Sequence, residues 1–113
     1  RLFNWLPTFL PEESPSLLHG DLWGGNMMTT STGRPCLVDP AVYYGHREVD
    51  LAMTQLFGGF DASFVESYRE VYPLLPDYEE RLELYNLYPL LVHVNLFGGG
   101  YTQGVIALLD RFN

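Results

Sequence analysis

The chain contains no lysine. Its six basic residues are all arginines (Arg1, Arg34, Arg47, Arg69, Arg81 and Arg111), set against 14 acidic ones for a formal net charge of −8. That balance argues against binding nucleic acid or an anionic membrane surface. There is a single cysteine, Cys36, so an internal disulfide is excluded; this fits a reducing compartment and predicts a cytoplasmic protein. No apolar stretch approaches the length of a membrane span, and the N-terminus RLFNWLPTFLP lacks the layout of a secretory signal. The chain opens on Arg1 in mid-pattern, which predicts a piece of a longer protein.

What is present is a packed globular composition. Hydrophobic residues make up 47% of the 113 and aromatics 15%, enough for one domain with a modest core. Residues 1–16 read as the end of one element followed by a proline-punctuated loop. Met27–Thr30 and Pro35–Val38, split by Ser31-Thr32-Gly33-Arg34, predict a β-hairpin that ends at Asp39-Pro40. From there the pattern turns helical. Val49, Ala52, Met53 and Leu56 fall at helical spacing, and Gly58-Gly59 stops the run. Asp61 predicts the cap of a second helix, closed by Pro73 and Pro76. Asp77 with Glu80 resembles a capping box opening a long run to Phe97, with a kink or break expected near Leu87–Tyr88 because of Pro89. Thr102 to Phe112 is a last helix. LFGGF and LFGGGY look like a repeat but read more simply as two helix stops. The fold class expected is mainly α with one small β-hairpin.

The stretch HGDLWGGN, residues 19–26, carries the chemistry. Asp21 and Asn26 have the spacing of a kinase catalytic loop, where the Asp accepts the proton of the attacking hydroxyl and the Asn holds magnesium. D-x4-N alone is a weak signal. It is tightened by His19 two places earlier, by the hairpin that follows, and by Asp39 at the end of that hairpin, where the kinase pattern has its second magnesium ligand. Mg²⁺ is a hard cation that takes one or two protein oxygens plus phosphate and water, so one Asp and one Asn suffice while Asp21 stays metal-free. Each residue alone could be an ordinary turn or cap residue; the three in order around a hairpin favour phosphoryl transfer.

HGDLWGGN, followed by VDPAVYYGHREVDLAM, LFGGF and LFGGGY, resembles the fructosamine (ketosamine) kinase family, from about residue 17 to the end. That family is similar to aminoglycoside and choline phosphotransferases and has a protein-kinase-like fold. The resemblance implies an ATP- and Mg²⁺-dependent kinase that phosphorylates a sugar hydroxyl of ketosamines, either small molecules or glycated protein lysines, and so serves protein deglycation. It implies Asp21 as the catalytic base, Asn26 and Asp39 as magnesium and cofactor ligands, and Asp50 and His19 as structural supports of the loop. Two readings stand for Trp23: stacking on a sugar ring, or packing the loop against the core. Tyr43 and Tyr44 are ambiguous in the same way. His46 and Arg47 could contact anionic or sugar groups, but a solvated turn is the expectation for them; His93 is expected as a core histidine with a local partner, and Cys36 as a buried small hydrophobe.

A kinase of this kind also needs a glycine-rich loop over the phosphates and a strand lysine. Neither occurs here. The expectation is therefore a C-terminal lobe alone, residues 1–113, without the N-terminal ATP-binding lobe, and inactive by itself. Two other readings remain: a small-molecule kinase of the same superfamily acting on another hydroxyl, and a non-catalytic truncated lobe serving as an interaction module.

Overall fold

A computed structural model describes residues 2–112. Its elements run α1 (Leu2–Phe9), β1 (Ser16–Leu18), β2 (Met27–Thr29), β3 (Pro35–Leu37), β4 (Tyr43–Gly45), α2 (Arg47–Leu56), α3 (Ala62–Val71), α4 (Tyr78–Tyr85), α5 (Leu87–Phe97) and α6 (Thr102–Phe112). The mainly α architecture with a hairpin at 27–37 agrees with the sequence pattern.

A second two-stranded sheet is an addition. β1 pairs antiparallel with β4, joining Ser16 to Gly45 and Leu18 to Tyr43, while β2 pairs with β3, joining Met27 to Leu37 and Thr29 to Pro35. The second pair is nested inside the first. β1 carries no turn signal to the strand it meets, since its partner lies beyond the whole hairpin. Nesting makes the segments 19–26 and 38–42 leave the two sheets side by side, and the Ala41 N–H donates to the His19 carbonyl at 2.8 Å. Beyond Met27, the strands of the inner hairpin are exposed. Cys36 is therefore exposed, not buried as its apolar neighbours suggested.

Helix α2 is the centre of the core. Leu51 and Ala52 on it pack with Leu82 of α4, and Phe64, Tyr68, Leu74, Tyr78 and Tyr85 close around them. Arg47 and Glu48 are buried at its start. The Glu48 side chain is 0% exposed and faces Arg81, itself 4% exposed, with Nη2 to Oε1 at 2.9 Å and Nε to Oε2 at 3.0 Å. Arg81 also donates to the carbonyls of Leu75 and Pro76.

The solvated turn expected at His46–Arg47 is not found. Arg47 forms a two-pronged pair with Glu13 (2.8 and 3.0 Å), donates to the carbonyls of Tyr72 and Pro73, and lies 3.5 Å above the Tyr72 ring. The imidazole of His46 caps α2 by accepting from the Glu48 N–H, and it stacks on Tyr85. An arginine can be buried here because Glu13 supplies the opposite charge and the 72–76 segment supplies carbonyls.

Asp61 caps α3 as expected, accepting from the Ser63 N–H at 3.0 Å. Asp77 does not cap α4. Its backbone is left-handed (φ 65°), whereas an N-cap needs extended angles, and its side chain makes no capping bond. The long run breaks at Asn86, whose amide donates to the Ala52 carbonyl. Pro89 then falls in the first turn of α5, where a missing N–H leaves no helical bond unmade. Gly98, at φ 80°, ends α5, and α6 packs back against it.

Candidate active site

The loop between β1 and β2 is held from four directions. Beneath it, Asp50 of α2 accepts from the His19 N–H at 2.8 Å through Oδ2 and from the Gly20 N–H at 3.1 Å through Oδ1. Within it, His19 Nδ1 accepts from the Asp21 N–H at 3.2 Å. That fixes the tautomer: Nε2 carries the proton and donates to the Val38 carbonyl at 2.8 Å. At its far end, buried Asn26 donates from Nδ2 to both the carbonyl and the Oδ2 of Asp21, each at 2.9 Å. Above it lies the Gly58-Gly59 turn. A Cβ on Gly59 would stand 2.5 Å from the Gly24 Cα, so neither chain can carry a side chain at that crossing. The LFGGF glycines stop α2, and they also seat this loop.

Val38 links the two segments. Its N–H donates to the Asn26 carbonyl, and its carbonyl takes the His19 proton. The next residue, Asp39, is exposed and left-handed at φ 48°. Asp21 and Asn26 are thus joined by a side-chain hydrogen bond, and Val38, the residue before Asp39, is tied to the same loop.

These residues fit a magnesium ion in the chemistry of their donors. Asn26 commits its amide nitrogen to Asp21, which leaves its oxygen for a cation, and Asp39 adds a carboxylate with no side-chain hydrogen bond among the described residues. Among the described residues, no group of three or more His, Cys, Asp or Glu gathers at a point. A cation held here would complete its shell from phosphate and water, the habit of Mg²⁺.

Two cavities meet at Asp21. One, of about 490 Å³, is lined by Asp21, Trp23, Phe57, His93, Phe97 and Tyr101. Trp23 is 38% exposed there, its edge against Phe57 (centroids 6.1 Å, planes at 83°) and its ring over Gly25, where any Cβ would clash with it. It packs the loop and lines the cavity at once. His93 has the local partner expected, Nδ1 to the Pro89 carbonyl at 2.7 Å, but it also faces both cavities. Phe57, Phe97 and Tyr101 carry no sequence signal of a site beyond their place beside the two glycine stops.

The second cavity, of about 630 Å³, runs from Asp21 between β4, α2 and α5 and includes Tyr43, Val49, Met53 and Tyr88. Burial raises the Tyr43 hydroxyl pKa, helped by the Asp50 charge and by Tyr88. Tyr44 points elsewhere and is largely exposed.

The family model for fructosamine kinase matches residues 7–112. The chain belongs to the fructosamine kinase family. A Synechocystis protein named "Probable ketoamine kinase" is 56% identical over 100 residues, covering 88% of this chain and 34% of the relative. A rice "Protein-ribulosamine 3-kinase, chloroplastic" is 46% identical over 98 residues, 87% of this chain and 28% of the relative. The crystal structure of a candidate fructosamine-3-kinase from Thermobifida fusca superimposes with a TM-score of 0.86 at 38% identity, covering 98% of this chain and 39% of that one. The fold is the mainly α C-terminal lobe of a kinase-like protein, and the chain spans about a third of the length of the curated relatives it matches.

Proposed function

We propose that this fructosamine kinase family chain is the catalytic-loop and acceptor-binding lobe of an ATP-dependent ketosamine kinase, acting on small ketosamines or glycated lysines in the cytoplasm. The observation that carries the reading is the bond from Asn26 Nδ2 to Asp21 Oδ2. It turns one carboxylate oxygen toward Asn26 and leaves Oδ1 for an acceptor hydroxyl. In this reading Asp21 Oδ1 takes the hydroxyl proton as the sugar oxygen attacks the γ-phosphorus and the β–γ bridging oxygen leaves with ADP. The oxygens of Asn26 and Asp39 would hold Mg²⁺, which when bound supplies positive charge against the phosphate oxygens. Trp23 offers its face to the sugar ring. His19 and Asp50 position the loop and touch neither substrate.

The triphosphate contacts belong to an N-terminal lobe outside these 113 residues. The absence of lysine supports this, because a strand lysine normally pairs with the phosphates. The decisive experiment gives the full-length protein ATP with the fructose adduct of lysine, with an aminoglycoside and with choline. Turnover of the lysine adduct well above the other two is expected; a preference for either of the others moves the acceptor to a different alcohol.

A further inference from the structure

The larger of the two cavities at Asp21 takes no part in the phosphoryl-transfer reading. Val49, Met53 and Val92 are half-buried and make its floor, while Tyr43 and Tyr88, 46% and 77% exposed, stand at its mouth. It shares Asp21 and His93 with the Trp23 cavity, so a molecule whose hydroxyl sits at Asp21 can extend in two directions. No arginine lines it, and among its lining residues the only fixed charge is the Asp21 carboxylate. Such a lining rejects phosphates and carboxylates and suits a cation with a hydrocarbon tail.

A ketosamine has two halves: a sugar, and a protonated secondary amine bearing a substituent. The Trp23 side offers flat aromatic faces; the tyrosine side offers an apolar floor behind an acidic, aromatic mouth. We propose that the Tyr43–Tyr88 cavity receives the hydrocarbon substituent of the acceptor's amine, with the ammonium group at its mouth between Asp21 and the tyrosine faces, so that this cavity sets which amines' adducts are preferred. The proposal rests on the ketosamine reading. Tyr43 and Tyr88 are specificity residues, and neither takes part in the proton transfer.

The test uses the full-length kinase and the fructose adducts of methylamine, hexylamine and phenethylamine. The wild type should favour the two larger adducts by about tenfold or more in kcat/KM, the scale at which apolar pockets discriminate. Tyr88→Ala, at an exposed position, and Val92→Phe, which fills the floor, should each narrow that preference to within about threefold, mainly through KM. Equal use of all three adducts by the wild type, or an unaltered preference in both variants, overturns the proposal while the ketosamine reading stands. No turnover of any adduct overturns both.

Discussion

Asp21 takes its orientation from its neighbours. Asn26 grips one of its oxygens, His19 holds its amide, and Asp50 fixes the two residues ahead of it. In the full-length kinase Asp21→Asn should leave the fold and nucleotide binding intact, since the amide can keep the Asn26 contact. Turnover should fall by roughly 10²–10⁴-fold, the worth of general-base assistance. A loss under about tenfold in a steady-state ATP-consumption assay rules the assignment out. Asn26→Ala and Asp39→Ala should each raise the magnesium needed for half-maximal rate, Asp39→Ala by more, because it removes a charge. A magnesium titration that matches wild type in Asp39→Ala removes it as a ligand. Glu13 gives a different handle. The hydrogen bond from Arg47 holds its carboxyl pKa below the ordinary 4.5, so the folded state releases this proton more readily than the unfolded one. Its stabilising contribution is complete above that ordinary value and is lost as pH falls through the depressed one. Thermal midpoints followed downward from neutral pH should therefore fall more steeply in wild type than in Glu13→Gln. Parallel curves would show that the pair contributes nothing to acid lability.

Among the elements, the Gly58-Gly59 turn has the largest influence relative to its size. Gly59→Ala must push the Gly24 backbone aside and also hold an alanine at φ 93°. Strain of this kind costs on the order of 1–3 kcal/mol. We expect a lower melting temperature together with a fall in kcat that exceeds the fall from Gly58→Ala, since a Cβ at residue 58 meets nothing. Equal effects of the two substitutions would mean that the turn only ends α2. The sequence could not reveal this role, because a helix-stopping glycine and a close-approach glycine look alike until the opposing chain is known. Legibility followed range. Asn26 bonds to Asp21 five residues away and Asp61 caps its own helix, so local spacing is enough to place both contacts. Arg47 with Glu13 and Arg81 with Glu48 lie 34 and 33 residues apart, and no periodicity ties one to the other. The aromatic wall of Phe57, Phe97 and Tyr101 is assembled in the same way, from the ends of α2 and α5 and the turn before α6.

At the scale of the whole molecule, the 113 residues hold two cavities at Asp21 and a pair of candidate metal oxygens but no lysine. Expressed alone, the chain should show no measurable phosphoryl transfer. It should also self-associate, because Leu17, Met28, Leu37, Val42 and Tyr44 are all exposed on the strands and the loop beside them. Clear turnover by a monodisperse monomer, judged by light scattering beside the ATP assay, would show that no second lobe is required. The nesting of the two sheets has a consequence of another kind. The 30–34 turn is exposed, and its hydrogen bonds from Thr30 and Gly33 stay within it. Outside it, the β1–β4 pair clasps the far ends of the two segments that carry Asp21 and Asp39. The hairpin is thus a handle whose length is decoupled from the machinery it joins. A short epitope spliced in after Thr32 should be displayed to an antibody on the intact full-length enzyme while ketosamine turnover stays within about twofold of the unspliced protein, as expected for a chain opened at an exposed loop tip.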